Sequence, residues 1–113
     1  MGKVIVSRER EIEWQAPAKY AASRGEAALH FKRLSAKASG GPNVQIAQYG
    51  PGHTEQAHSH PHDEMLYILE GGGTLSSHSL EPGAMLFIER NTVYGPVVGG
   101  PKGLKFLRVQ LSE

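Results

Sequence analysis

The chain contains no cysteine among its 113 residues. This absence excludes disulfide bonds, zinc–thiolate sites and a thiol nucleophile, and it is compatible with a cytoplasmic location, which we expect. An excess of charge of one sign is also missing, because charged residues make up 20% of the chain and the formal net charge is +1. Such a balance points to neither nucleic acid nor a membrane surface as a partner.

Long hydrophobic runs are missing too. No apolar run approaches the roughly 20 residues that span a bilayer. The apolar stretch in MGKVIVSRER (1–10) is broken at once by charge, so no signal peptide is expected. Helical periodicity is weak, and residues 16–24 are the best candidate helix. The chain is instead rich in glycine, with 14 residues, and has 7 prolines, which favours short elements joined by turns.

Short apolar or alternating segments between these turn residues predict β-strands. Residues 43–49 alternate cleanly, and residues 64–70 form a strongly apolar segment. Further strands are expected at 3–7, 11–14, 27–34, 74–80, 84–89, 91–98 and 104–111. This spacing predicts an all-β antiparallel sandwich or barrel. The length predicts one domain over 1–113, with N-terminal strands and a loop in 1–26 and the core barrel in 43–111.

The densest group of metal-ligating side chains lies in AHSHPHDE (57–64). Residues two apart in a strand share a face, so His58 and His60 are expected to point the same way. Pro61 interrupts the strand, and a tight turn would bring Glu64 to the same side at the start of the next strand. Two imidazoles and a carboxylate are a suitable donor set for a divalent transition metal.

The other histidines carry a weaker indication of function. His62 lies in the predicted turn and is an alternative to His60 as a ligand. His53 is either close to the metal or simply exposed. His30 and His78 have no partner in the sequence, so neither is expected to belong to a site.

The segment GHTEQAHSHPHDEMLYILEG (52–71) resembles the first motif of the cupin superfamily, G-x5-H-x-H-x3-E-x6-G. Every fixed position of that motif is filled: Gly52, His58, His60, Glu64 and Gly71. The resemblance covers roughly residues 43–111 and implies a small single-domain cupin, a double-stranded β-helix or jelly-roll barrel. It also implies a metal inside the barrel, held by both histidines and the glutamate, with one more ligand from a second motif.

The second motif, G-x5-P-x-G-x2-H-x3-N, is matched only in part by GAMLFIERNTVYGPVV (83–98). Gly83 is present, and the segment between the motifs, 72–82, is shorter than the family leads us to expect. The remaining fixed positions carry other residues: Glu89, Asn91, Tyr94 and Val98. Tyr94 takes the place of the family's metal-binding histidine.

Three roles are open for Tyr94. It can ligate the metal as a phenolate, a hard anionic donor suited to ferric iron, in which case the metal displaces a proton of ordinary pKa about 10. It can stay protonated and serve as hydrogen-bond donor or general acid to a substrate, while three protein ligands hold the metal. It can also be a packed aromatic residue in a degenerate site.

The sequence therefore predicts a metal-binding cupin with the ligands His58, His60, Glu64 and Tyr94, of which Glu64 and Tyr94 are also the candidate catalytic residues. The cofactor is a divalent transition metal: iron, manganese, nickel, zinc or copper. We expect a small metalloenzyme of dioxygenase, isomerase or lyase type that acts on a small oxygen-bearing metabolite. The alternative is a non-catalytic module that binds a sugar-like small molecule.

Two further residues have open interpretations. Arg108, on the last predicted strand, either pairs with a substrate carboxylate or is an ordinary exposed arginine, and the sequence favours the second. Because small cupins commonly pair through N-terminal edge strands, a homodimer is expected, with 3–14 as the contact. Trp14 is then either an interface anchor or a core residue that covers the mouth of the barrel.

Overall fold

The structure, a computed structural model, describes residues 2–17 and 29–111. It contains seven β-strands: β1 Leu29–Ser35, β2 Asn43–Tyr49, β3 Thr54–Glu55, β4 Glu64–Leu75, β5 His78–Leu80, β6 Met85–Ile88 and β7 Val97–Gln110. Two short 3₁₀ helices complete it, Glu9–Glu11 and Lys37–Ser39. None of the helices in these two ranges has the length and apolar character needed to cross a membrane. The all-β prediction is confirmed.

All strand pairs are antiparallel, and the sheet order is β1-β2-β7-β4-β5, with β3 beside β7 and β6 beside β4. The last strand therefore lies in the middle of the sheet, between β2 and β4. The strands curl into a jelly-roll barrel, as predicted. This order places the first residue of β4 and the last residues of β7 next to each other, because the two strands run antiparallel along their whole length.

The interior of the barrel follows from the two-residue period of the strands. On β4, Leu66 and Ile68 are 4% and 1% exposed, and Leu104 and Phe106 of β7 are equally buried. Glu64 occupies the same face as Leu66 and Ile68, and it is 0% exposed. The alternation that buries the apolar residues thus also carries a carboxylate into the core.

Two glycine-rich segments that the sequence predicts as turns are instead parts of long strands. β4 continues to Leu75 and β7 already begins at Val97. Gly71 has a φ of 74°, and a Cβ atom there would collide with the carbonyl oxygen of Gly103. These glycines let the two backbones approach closely and shift register, so they shape the strands without ending them.

The predicted N-terminal strands at 3–7 and 11–14 are wrong. Within residues 2–17 the structure has one 3₁₀ turn and a single bridge between Gln15 and Phe31 of β1. A strand needs a continuous ladder of backbone hydrogen bonds, which this segment lacks. The candidate helix at 16–24 lies almost wholly outside the described residues.

Side chains attach this segment to the barrel. The carboxylate of Glu9 forms ion pairs with Lys105 at 3.1 Å and with Lys32 at 3.5 Å. The ammonium group of Lys32 also lies 4.7 Å from the ring centroid of Trp14. Trp14 therefore packs on its own chain, 37% exposed, and the homodimer stays a prediction.

Candidate metal and substrate site

The two motif histidines lie on an extended segment that pairs with the segment of Tyr94. The backbone N–H of His58 donates to the carbonyl of Tyr94 at 3.0 Å, and the reverse bond measures 2.9 Å. Further along, the N–H of Asn91 donates to the carbonyl of His60 at 2.7 Å. Directly opposed residues of an antiparallel pair place their side chains on one face, so the rings of His58 and Tyr94 meet with centroids 4.8 Å apart.

Glu64, at the start of β4, is the buried centre of this group. Its Oε1 accepts a hydrogen bond from the Tyr94 hydroxyl at 3.2 Å. Its Oε2 accepts from Nε of Arg108 at 2.8 Å and also from Nη2 of Arg108. The same Oε2 is 3.8 Å from Nε2 of His60. Both carboxylate oxygens are therefore engaged, one by a phenol and one by a guanidinium.

The interpretation of Arg108 as an ordinary exposed arginine is wrong. Its side chain is 21% exposed and reaches into the barrel, where Nη2 also lies 3.4 Å from Nε2 of His60. The sequence contains a signal for this position, because Arg108 shares its strand face with Leu104 and Phe106, both of which are buried. A charged residue in that alternation is expected to point inward beside them.

The histidine rings are oriented by their neighbours. Nδ1 of His58 lies 2.7 Å from the carbonyl oxygen of Gln56, which places the proton on Nδ1 and leaves Nε2 as the electron-pair donor. The ring of His60 stands nearly perpendicular to that of His58, at 86°, with centroids 4.8 Å apart. The two imidazoles thus converge on one region beside Glu64.

The electrostatic environment keeps two of these groups uncharged. Burial lowers the pKa of His60, and the charge of Arg108 lowers it further against the opposing effect of Glu64. Burial also raises the pKa of Tyr94 well above its usual range, and the nearby Glu64 carboxylate adds to that rise. A neutral imidazole offers its electron pair, and a protonated phenol is a hydrogen-bond donor.

The group opens into a cavity of about 330 Å³ inside the barrel. Its wall includes polar and aromatic residues from β1, β2, β3, β7 and the two paired segments: Phe31, Arg33, Gln45, Tyr49, Glu55, His58, His60, Tyr94, Phe106 and Arg108. The volume suits a small metabolite rather than a polymer.

The remaining histidines are dispersed. His62 stacks on His60 with centroids 6.1 Å apart and an angle of 11° between the rings. Nε2 of His53 lies 2.6 Å from the carboxylate of Glu55, and His78 is exposed on the β4–β5 hairpin. The pair of His53 and Glu55 beside the cavity was not anticipated, since Glu55 occupies a variable position of the first motif.

The donor types present fit a divalent transition metal, since two imidazole nitrogens, a carboxylate and a phenol oxygen face one another. The positions of these side chains in the structure are not yet those of a metal site. Among the described residues, no three His, Asp or Glu side chains form a group that could hold an ion as they stand. In the structure the guanidinium of Arg108 occupies Oε2 of Glu64 and approaches His60. A metal ion that binds Oε2 would compete with this guanidinium.

Comparison with known proteins identifies the family. The family model of the cupin domain matches residues 45–110, more than half of the chain. The chain belongs to the cupin family. This match begins in β2 and ends at the last residue of β7, so it includes His58, His60, Glu64, Tyr94 and Arg108.

Individual relatives vary widely in what they do. The chain is 37% identical over 65 residues to dimethylsulfoniopropionate lyase DddW of Ruegeria pomeroyi, a match that covers 54% of this chain and 42% of that protein. This cupin therefore corresponds to less than half the length of that relative. Among solved structures, it resembles the polyketide cyclase RemF of Streptomyces resistomycificus, with a TM-score of 0.75, 21% identity, and coverage of 97% and 78% of the two chains.

A second structural likeness spans the whole fold. A predicted oxalate decarboxylase of Thermotoga maritima aligns with a TM-score of 0.74 at 20% identity, and the alignment covers 96% of this chain and 100% of that chain. At such identities these two structures establish the barrel fold alone. Their differing names agree with the general rule that one scaffold hosts many reactions.

Proposed function

We infer that this cupin is a small metal-dependent enzyme that acts on a small oxygen-bearing metabolite bound in the barrel cavity. The observation that carries the proposal is the fully buried Glu64, which lies beside the phenol of Tyr94, the imidazole of His60 and the guanidinium of Arg108. These three neighbours line the cavity. A buried carboxylate with so many partners is unfavourable for stability compared with an apolar residue, which is typical of a functional site.

His58, His60 and Glu64 would hold the metal. A divalent metal bound there supplies Lewis-acid activation of a substrate oxygen, or a platform for dioxygen. His58 is prepared for this role by the bond of its Nδ1 to Gln56, which directs Nε2 to the cavity. Glu64 contributes Oε2 once Arg108 releases it.

Tyr94 is assigned the second of its three roles, that of a protonated donor. Its hydroxyl already donates to Glu64 at 3.2 Å, and a phenol that donates a hydrogen bond retains its proton. The same hydroxyl faces the cavity, where it can donate to a substrate oxygen or act as general acid. Glu64 is the complementary base, since a carboxylate next to a protonated phenol can accept a proton.

The curated relative supports lyase-type chemistry as one candidate, because its name describes a lyase acting on dimethylsulfoniopropionate. The name of that substrate describes a small propionate, which is compatible in size with a cavity of about 330 Å³. Consumption of dimethylsulfoniopropionate, followed by proton NMR, is therefore the first activity to assay. Glu64→Gln should abolish turnover of any accepted substrate. Full turnover by that variant with metal bound would exclude Glu64 as the base.

Metal analysis tests the site itself. After reconstitution with iron, manganese, nickel, zinc or copper and gel filtration, we expect about one equivalent of one of these metals in the wild type, in Tyr94→Phe and in the control His78→Ala. His58→Ala should lose the metal, while Tyr67→Phe serves as the matched control for loss of a phenol hydroxyl. A wild type that retains no stoichiometric metal contradicts the proposal. A visible phenolate-to-iron absorption band that disappears in Tyr94→Phe would contradict the role given to Tyr94.

A further inference from the structure

Three polar side chains form a row across the sheet beside the candidate site. Arg33 of β1 is the direct partner of Gln45 of β2, and Gln45 is the direct partner of Arg108 of β7. Direct cross-strand partners share a face of the sheet, and all three residues line the barrel cavity. One wall of the cavity therefore presents a carboxamide flanked by two guanidinium groups.

The two arginines of this row differ in their partners. Arg108 is paired with the buried Glu64. Arg33 is exposed at the mouth of the cavity, and within residues 2–17 and 29–111 no ion pair involves it. Its guanidinium lies 5.8 Å from the ring centroid of Phe31, which also lines the cavity. The wall thus has a positive charge without a described acidic partner, next to one whose partner is a carboxylate.

Among the described residues, the acid that meets this end of the cavity is Glu64, and its ion pair is with Arg108. Within residues 2–17 and 29–111, the acid that lines the cavity is Glu55 on β3. By register it pairs with Val97, the first residue of β7, whereas Arg108 lies near the end of that strand. The carboxylate of Glu55 is moreover bound to His53 at 2.6 Å. The row is accordingly a cationic strip at one end of the lining.

The chemistry of the row suits a carboxylate. A guanidinium presents parallel N–H donors that match two carboxylate oxygens, and the amide of Gln45 adds an uncharged donor between them. Strands of a sheet are about 4.8 Å apart, so the backbones of β1 and β7 lie roughly 10 Å apart with β2 between them. Two long arginine side chains on such a base can close on one small anion.

We propose that the row of Arg33, Gln45 and Arg108 binds the carboxylate of an anionic substrate, and that this carboxylate takes the place at Arg108 that Glu64 holds in the structure. The inference rests on the proposed function in that it assigns the substrate to the same cavity. It adds the chemical class of the substrate, a small organic carboxylate, and names Arg33 and Gln45 as residues that determine specificity.

Titration calorimetry with succinate tests the proposal on the full chain in EDTA. We expect saturable binding of succinate and none of its neutral diamide. Arg33→Gln should weaken the binding roughly tenfold or more, because a charge-assisted bidentate contact is lost. Arg33→Lys should give an intermediate loss, since it keeps the charge without the fork. The control Arg10→Gln, an exposed arginine of the N-terminal segment, should bind as the wild type.

Arg33 is the primary position because its side chain is exposed, so its variants should fold. For Arg108, which holds a buried carboxylate, the double variant Glu64→Gln/Arg108→Gln removes both charges together and should also lose succinate. Inorganic phosphate distinguishes a carboxylate site from a general anion site, and we expect it to bind at least tenfold more weakly than succinate.

Unchanged succinate affinity in Arg33→Gln, equal binding of the diamide, or phosphate binding as tight as that of succinate would overturn the inference. The result is separable from that for the metal. Succinate binding lost in Arg33→Gln, in a protein that retains no metal, would sustain the carboxylate row and contradict the metal proposal. Stoichiometric metal bound through His58, with succinate binding indifferent to Arg33, would do the reverse.

Discussion

Replacing Arg108 by methionine tests the most consequential contact in the barrel. Methionine keeps much of the length and the apolar stem of arginine but removes every donor. Glu64, which is 0% exposed, would lose both bonds to its Oε2 and keep the Tyr94 hydroxyl on Oε1. A carboxylate would then remain in the core without a cation in contact.

The magnitude follows from burial. Removing one partner of a buried ion pair typically costs about 3–5 kcal/mol, because the other charge stays desolvated. Since the Arg108 side chain is 21% exposed, water can reach the vacated space in part, and we expect the low end, about 3 kcal/mol. For a domain of this size that corresponds to a fall in Tm of roughly 10 °C.

The opposite deletion should cost less. In Glu64→Gln the group left without a counter-ion is Arg108, which retains contact with solvent, so we expect about 1–2 kcal/mol. The double variant Glu64→Gln/Arg108→Met removes both charges and should cost only about 1 kcal/mol, which gives a coupling free energy of about 3 kcal/mol or more. Arg90→Met provides a matched control. Its ion pair with Asp63 spans 3.5 Å at the surface, so its loss should cost at most about 1 kcal/mol.

Urea unfolding at neutral pH in EDTA measures these differences, and a second series with zinc or manganese chloride addresses the metal. If an ion takes the place of the guanidinium at Oε2, added metal should stabilise Arg108→Met more than it stabilises the wild type. A value for Arg108→Met within about 0.5 kcal/mol of the wild type in EDTA would refute the burial of an Arg108–Glu64 pair. Equal stabilisation of both proteins by metal would refute the competition between ion and guanidinium.

Two further predictions concern the barrel and its N-terminal attachment. Gly71→Ala should cost about 3 kcal/mol or more, because its Cβ would collide with the backbone of Gly103. Gly83→Ala, also at positive φ but with open space around it, should cost about 1–2 kcal/mol, and equal losses in urea unfolding would contradict this reasoning. Although partial burial opposes it, Lys105 lowers the pKa of Glu9, so the stability from this carboxylate is present above its unfolded pKa and lost as the pH falls through its lowered folded pKa. The deficit of Glu9→Gln should therefore be at most about 1 kcal/mol at neutral pH and vanish in acid. A deficit that persists in acid would count against the ion pair.

Several strands of the barrel could be predicted because the sequence pattern within each segment is sufficient to indicate a strand. Residues 43–49 form β2 as predicted, since their alternation is typical of a strand. The strand at 84–89 is present as Met85–Ile88. Where the predictions fail, the deciding contacts are distant in sequence. The glycines near Gly71 act as turns by local rules, yet they belong to β4 because β7 pairs with them along the ladder.

The structure of the N-terminal segment also depends on contacts that are distant in sequence. Residues 3–7 have strand-like composition, but their placement depends on Glu9 meeting two lysines and on the single bridge at Gln15. For the site, the pattern of the first motif identified Glu64 and the two histidines as a group. It could not reveal Arg108 as the partner of Glu64, because that contact joins residues 44 positions apart and depends on the sheet order.

The two carboxylate oxygens of Glu64 have different partners, and this links the proposed metal site to the proposed substrate-carboxylate site. Oε2 accepts both hydrogen bonds from Arg108, so a metal ion that binds Oε2 competes with Arg108. A substrate carboxylate that draws Arg108 toward Arg33 removes that competitor and leaves Oε2 available. Metal affinity should then rise when the carboxylate is bound, and by linkage the carboxylate should bind more tightly by the same factor when metal is present. A barrel that places one buried acid between two cations can in this way make binding of its cofactor and its substrate mutually dependent.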